Sequence, residues 1–253
     1  MKKIALVTGA TSGIGYATAT ILAGNDFNVI ITGRREERLH ELKGKLLEQT
    51  NAEVLPLIFD VRNHDQVVNA LGSIPEEWQK IDVLINNAGG AEGFDLFQEA
   101  NPEDWETMID ANVKGLLYVS RQIVKGMVSR NSGQIINLGS VAGREVYEKG
   151  SVYCGTKAAV NAITRGMRID LLKHNIRVTN IEPGLVETEF SMVRFKGDRE
   201  KADKVYEGLT PLTAEDIAEI ILFVVTRPPH VNINEMLVMP TAQASAFYVR
   251  RDE

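Results

Sequence analysis

The chain has a single cysteine, Cys154, so no internal disulfide framework is open to it. Its histidines, His40, His64, His174 and His230, are too dispersed to suggest a metal site, and no metal is expected. No segment approaches the roughly 18 consecutive apolar residues of a membrane span. The opening Met1-Lys2-Lys3 runs straight into Ile4-Ala5-Leu6-Val7, too short for a signal-peptide core and without a small-residue cleavage pattern. A cytoplasmic protein with no membrane partner is expected. Positive charge is also scarce: 28 Lys and Arg against 34 Asp and Glu leave −6, and bases are scattered among acids, so nucleic acid is not an expected partner. Nor does a Pro-, Gly- or Ser-rich linker divide the chain, and residues 1–253 read as one domain.

What is present is rhythm. Short β-branched runs alternate with longer amphipathic stretches, the signature of βαβ units around a mostly parallel sheet. Strands are expected at Ile4–Thr8, Phe27–Thr32, Val54–Phe59, Val83–Ile85, Gln134–Leu138, Arg177–Ile181 and Glu235–Met239. Their continuous apolar character fits strands covered by helices on both faces. Helices are expected at Gly13–Gly24, Glu36–Gln49, His64–Leu71, Pro102–Arg130, Ser151–His174 and Ala214–Thr226. The fold class is therefore α/β, a three-layer, doubly wound Rossmann-type fold on a seven-stranded parallel sheet. From Pro183 to Pro211 the rhythm fails, and this long stretch of mixed charge is expected to be a functional loop.

The first strand runs into Thr8-Gly9-Ala10-Thr11-Ser12-Gly13-Ile14-Gly15. Glycines there let a pyrophosphate approach the backbone and the unpaired N–H groups of a helix start. The spacing Gly-x-x-x-Gly-x-Gly differs from Gly-x-Gly-x-x-Gly, and alone it also fits an ordinary glycine-rich turn. At the end of the second strand, where an acid would hold a ribose 2′-hydroxyl, the chain reads Gly33-Arg34-Arg35. Two guanidinium groups suit a 2′-phosphate through charge-assisted hydrogen bonds, so NADP(H) is the expected cofactor. The plainer alternative pairs both arginines with Glu36 and Glu37. Asp60-Val61 and Asn86-Asn87-Ala88-Gly89 close the third and fourth strands, where ligands bind in open α/β sheets.

Tyr153 and Lys157 stand four residues apart at the start of a predicted helix, on one face. A phenol is a poor base at neutral pH, but a cation about 4 Å away contributes roughly 4 kcal/mol at an effective dielectric of 20. That corresponds to about three pKa units, so Lys157, helped by the charge of an oxidised nicotinamide, is expected to bring Tyr153 toward neutrality. Ser140, at the carboxyl end of the fifth strand, is expected to steady a substrate oxygen while Tyr153 exchanges its proton. Asn112 is expected to hold a backbone group or water behind Lys157. Arg144, Lys149 and Arg194 are all candidates to meet a substrate carboxylate, with no basis for choosing among them. Cys154 reads as a packing residue, since no histidine lies near it in sequence.

In order and approximate spacing, the Thr8–Gly15 turn, Asn86–Gly89, Asn112, Ser140, Tyr153, Lys157 and Pro183-Gly184 resemble the short-chain dehydrogenase/reductase family over nearly the whole chain. The resemblance implies a catalytic tetrad of Asn112, Ser140, Tyr153 and Lys157, with Ser140 and Tyr153 touching substrate. It implies cofactor contacts from Gly9, Thr11, Ser12, Gly13, Ile14, Gly15, Arg34, Arg35, Asp60, Val61, Asn87, Ala88, Gly89, Tyr153, Lys157, Pro183, Gly184, Val186 and Thr188. Thr32–Arg35, Phe59–Arg62, Asp104–Ile109, Ile181–Gly184, Val193–Asp198 and His230–Asn234 look more narrowly like the bacterial NADP-dependent 3-hydroxy acid dehydrogenases. These act on serine, allo-threonine and related 3-hydroxy acids and reduce malonic semialdehyde. The likeness implies a homotetramer in which the Pro102–Arg130 and Ser151–His174 helices pair between subunits. Two rival readings remain: a 3-oxoacyl-thioester reductase, for which no dense basic docking patch is seen, and a non-catalytic NADP(H)-sensing protein, which would have no need of Tyr153 beside Lys157.

Overall fold

A computed structural model describes residues 2–252. Its main elements are β1 (Lys3–Val7), α1 (Gly13–Ala23), β2 (Phe27–Gly33), α2 (Glu36–Gln49), β3 (Val54–Ile58), α3 (His64–Gly72), β4 (Ile81–Asn86), α4 (Pro102–Ile109), α5 (Leu116–Arg130), β5 (Gly133–Leu138), α6 (Ser151–Asp170), β6 (Ile176–Pro183), α7 (Glu189–Arg194), α8 (Arg199–Lys204), α9 (Ala214–Val225) and β7 (Glu235–Val238). The strands form one seven-stranded sheet in the order β3-β2-β1-β4-β5-β6-β7. Every neighbouring pair is parallel.

The continuous apolar runs have a simple cause. Side chains alternate across a strand, and both faces of this sheet are covered. Ala5, Val7, Ile31, Ile85 and Ile136 pack with Leu22, Leu39, Ile217 and Ile221 on one face. Leu6, Ile30, Leu84, Ile135 and Val178 pack with Val67, Val119, Ile123 and Met127 on the other. Fully burying one such side chain is worth about 1.5–3 kcal/mol, so a polar residue at either parity would disrupt a layer. Pro56 is tolerated because β3 is an edge strand, where one row of N–H groups has no partner strand. The last helix is fixed by a capping box in which Thr213 and Asp216 satisfy each other's backbone N–H groups.

Four expectations need correction. The helix expected over Pro102–Arg130 is interrupted by a π-helical turn at Asp110–Gly115, which separates α4 from α5. Such a turn carries an extra residue, and it places the Asn112 amide against the backbone of Gly90. The helix expected to reach His174 ends at Asp170 and is followed by a short 3₁₀ turn, which Asn175 stops in the left-handed conformation at φ 53°. The stretch from Pro183 to Pro211 holds two six-residue helices, α7 and α8, capped by Thr188 and Asp198. Each is too short for a clear 3.6-residue pattern, so side-chain caps rather than periodicity mark them. β4 is also longer than expected, since the Val83–Ile85 run extends at both ends to Ile81–Asn86. No helix of the described residues is long and apolar enough to cross a membrane.

Candidate active site

The chain runs outward through β1, β2 and β3, then returns to place β4 beside β1. Loops leaving β1 and β4 therefore diverge and leave a crevice at the carboxyl ends of the strands. A cleft of about 780 Å³ lies there, reaching from Arg34 past Gly9, Ala88, Ser140 and Tyr153 to Arg194. Its floor requires glycine. Gly9 has φ 68°, and a Cβ on Gly15 would collide with the Gly9 carbonyl. Thr8, which sequence reasoning placed in the turn without a role, clamps the two loops. Its hydroxyl accepts the N–H groups of Asn87 and Ala88 at 2.9 and 3.0 Å, while the Asn87 amide donates to the Thr8 carbonyl at 2.8 Å.

One end of the cleft is cationic. Arg35 donates to Thr11 and Ser12 Oγ, both at 2.7 Å, and to Glu189 at 2.8 Å, while Arg38 holds the other Glu189 oxygen at 2.6 Å. Burial alone would raise the Glu189 pKa, but these two arginines overcome it and draw the carboxyl down to about 2. Arg35 is thus paired with Glu189 across the cleft rather than with Glu36 or Glu37. Arg34 reaches out to solvent, 63% exposed, with Asp60 at 3.7 Å. Asp60 is gripped by Arg62 at 2.7 Å. Burial opposes the charge on Asp60, but that grip outweighs it and keeps the pKa low. The fit to a dinucleotide carrying a 2′-phosphate is direct: a glycine floor that no Cβ can share, and three arginines where a ribose-binding acid would otherwise stand.

The middle of the cleft holds three of the four residues singled out for catalysis, with Asn112 behind them. Ser140 accepts the Ala142 N–H at 3.1 Å and so stands at the head of a turn beyond β5. Tyr153 and Lys157 rise from the first turns of α6, each only 8% exposed. Lys157 Nζ donates to the Leu138 carbonyl at 2.8 Å and lies 5.9 Å from the Tyr153 ring centre. The Asn112 amide spans Gly90 and Thr156, at 2.8 to 2.9 Å, and thus grips the helix carrying Tyr153 and Lys157 rather than Lys157 itself. Burial pushes the Tyr153 phenol well above its ordinary pKa and Tyr147 adds to this, against the pull of Ser140 and Arg194. Burial also draws the Lys157 ammonium down to about 8. Burial thus works against the expected lowering of the Tyr153 pKa by Lys157 and an oxidised nicotinamide together.

Of the three cations expected near a substrate, Arg144 is committed elsewhere, donating to the buried Glu182 and to Glu235, both at 2.7 Å. Lys149 lies over Phe94, its Nζ 5.7 Å from the ring centre. Arg194 projects from the end of α7 into the cleft, where the rings of Phe94, Tyr147 and Tyr153 surround it.

A family model for short chain dehydrogenases matches residues 3–199. The chain belongs to that family. It is 52% identical over 244 residues to an NADP-dependent 3-hydroxy acid dehydrogenase of Salmonella typhi, covering 96% of this chain and 97% of that one. A Schizosaccharomyces pombe protein of the same description is 44% identical, covering 99% of this chain and 97% of its own. Among solved structures, the closed form of a serine dehydrogenase complexed with NADP+ superposes with a TM-score of 0.91 at 49% identity, covering 98% and 100% of the two chains.

In this short chain dehydrogenase the structure brings most of the residues singled out from sequence into one cleft, including Val61, Gly184, Val186 and Thr188. Asn112 stands behind it, 2% exposed. Sequence reasoning missed Arg38, Glu189 and the aromatic trio Phe94, Tyr147 and Phe190. Arg38 had a signal, since it follows Arg34 by four positions and Arg35 by three at the start of one helix. Glu189 had none, because it meets Arg35 from 154 residues away.

Proposed function

We propose that this short chain dehydrogenase moves a hydride between NADP(H) and a small 3-hydroxy acid or its 3-oxo acid, of the serine, allo-threonine or 3-hydroxypropionate type. The observation that carries the reading is the continuity of the cleft: an arginine-lined end suited to a 2′-phosphate leads past a glycine floor to Ser140, Tyr153 and Lys157. The names borne by the relatives point the same way.

Bound NADP+ supplies the hydride acceptor and a positive charge beside Tyr153. Gly9, Thr11, Ser12, Gly13, Ile14 and Gly15 receive the pyrophosphate, Arg34 and Arg35 with Arg38 receive the 2′-phosphate, and Asp60 and Val61 border the adenine. Asn87, Ala88 and Gly89, with Pro183, Gly184, Val186 and Thr188, line the nicotinamide half. Ser140 donates to the substrate oxygen and holds it against Tyr153. Tyr153 takes the hydroxyl proton in oxidation and returns it in reduction. Lys157, pinned by the Leu138 carbonyl, keeps a cation near the phenolate, and Asn112 steadies α6 through Thr156.

We read residues 1–253 as one catalytic domain, since β1 lies inside a single sheet whose edges come from β3 and β7. A homotetramer fits the apolar side chains left bare on the helices expected to pair: Leu117 on α5 is 41% exposed and Ile169 on α6 is 75% exposed. A cytoplasmic location fits a chain with one buried free cysteine.

The test is absorbance of reduced nicotinamide with NADP or NAD and a panel of 3-hydroxy acids, 2-hydroxy acids, simple alcohols and a 3-hydroxyacyl thioester. Turnover confined to NADP with 3-hydroxy acids is expected. Turnover on the thioester alone would make it a thioester reductase, and tight NADPH binding with no turnover would make it a sensor.

A further inference from the structure

We infer that Arg194 is the residue that receives the substrate carboxylate, and that its guanidinium, held in an aromatic collar, sets the preference for acids over neutral alcohols. The inference rests on the dehydrogenase reading and names the part of the cleft that reads the far end of the substrate.

A guanidinium carries five N–H donors in a fixed fork. Among the described residues the Arg194 side chain uses one, donating from Nη1 to the Tyr147 hydroxyl at 2.9 Å. Its Nε is buried and has no partner, and no carboxylate of the described residues forms an ion pair with it. Burying such a donor without a hydrogen bond is costly. The cost is relieved when an anion enters, because a carboxylate accepts two parallel N–H bonds from the fork. Two other arginines around the cleft are already paired with carboxylates: Arg144 with Glu182 and Glu235, Arg35 with Glu189.

The placement fits the chemistry. The Arg194 guanidinium carbon lies 4.5 Å from the Phe94 ring centre, 5.3 Å from that of Tyr147 and 5.7 Å from that of Tyr153. Ring faces stabilise the charge without cancelling it, and Nη2 makes no hydrogen bond among the described residues. The backbone is fixed too, since the Gly93 N–H donates to the Arg194 carbonyl at 3.0 Å. In a 3-hydroxy acid the hydroxyl oxygen and the carboxyl carbon are about 3–4 Å apart, from single bonds near 1.5 Å. With the Arg194 guanidinium carbon 5.7 Å from the Tyr153 ring centre, a molecule of that length can meet both groups.

The experiment compares kcat/KM for 3-hydroxypropionate and its methyl ester, with NADP, in the wild type and in Arg194→Met and Arg194→Lys. The ester keeps the reacting hydroxyl and lacks the charge, so a variant that folds poorly loses both substrates together and leaves the ratio unchanged. The wild type is expected to favour the acid. Arg194→Met should lower the acid-to-ester ratio by about 10- to 100-fold, the worth of a charge-assisted pair, chiefly through KM for the acid. Arg194→Lys should recover part of it. A wild-type acid preference that survives in both variants overturns the carboxylate assignment alone. A wild type that turns over neither compound overturns the dehydrogenase reading beneath it.

Discussion

The two ends of the cleft both present arginine, yet in opposite states. At the cofactor end, Arg35 and Arg38 share Glu189, whose side chain is 42% exposed, so their charge is already answered by a carboxylate that water can reach. At the substrate end, Arg194 has aromatic faces and a tyrosine hydroxyl for company, and an unpartnered buried N–H. An exposed ion pair is worth little, about 0–1 kcal/mol, and is easily exchanged for a doubly charged phosphate. A half-buried guanidinium without an anion is a standing cost that only a ligand removes. Both ends are carried by one short helix, α7, which has Glu189 at its start and Arg194 at its end. Helix α7 thus touches both ends of the cleft, meeting Arg35 and Arg38 at the first through Glu189.

The largest effect is expected between the two ends. Tyr153→Phe removes the proton carrier and leaves both arginine sites intact, so turnover should fall by about 10²–10⁴-fold while NADPH binding, followed by fluorescence, changes little. Turnover near the wild-type rate would show that neither end is arranged around Tyr153. Next, replacing Arg35 and Arg38 together by Leu should weaken NADP binding by about 10- to 100-fold, as loss of charge-assisted hydrogen bonds implies, and leave NAD binding close to unchanged. Equal losses for both cofactors would mean that this end supports the fold rather than reads the phosphate.

How much of this was legible beforehand depended on distance along the chain. The glycine turn, Asn86–Gly89 and the Tyr153–Lys157 pair are local patterns, each dictated by one strand end or one helical turn, and the structure gathers them into the cleft. The seven-stranded sheet was legible for a similar reason, since both faces are buried and each strand is a continuous apolar run. The π-helical turn at Asp110–Gly115 was not, because the contact it makes, Asn112 against Gly90, joins residues 22 apart in the chain. Glu189 was hidden for the same reason. The burial that raises the Tyr153 pKa was not legible, because spacing reports a neighbouring charge and says nothing of desolvation.

Smaller effects sharpen the contrast. Deprotonation of Tyr153 is needed for oxidation and its protonation for reduction, so the oxidative rate should climb with pH and the reductive rate fall. Lys157→Met should move both limbs to higher pH, because the remaining cations no longer offset burial of the phenolate, and pH–rate profiles will show it. An unmoved limb would take Lys157 out of the proton-transfer step.

The smallest effect is expected at Glu189. Glu189→Gln frees Arg35 and Arg38 and should raise NADP affinity by no more than about fivefold. Because the folded-state pKa lies near 2, below the ordinary 4.5, Glu189 contributes stability that is present above about pH 4.5 and lost as pH falls toward 2. The Gln variant should therefore lose less stability over that window in acid unfolding. A steeper loss would reverse the assigned sign.

The account is tested most directly by a structure of the protein with NADP and an unreactive 3-hydroxy acid analogue. It predicts the 2′-phosphate against Arg35 and Arg38, with Glu189 displaced from them, and the carboxylate paired through the fork of Arg194. A carboxylate bound away from Arg194, or a 2′-phosphate facing none of Arg34, Arg35 and Arg38, would contradict it.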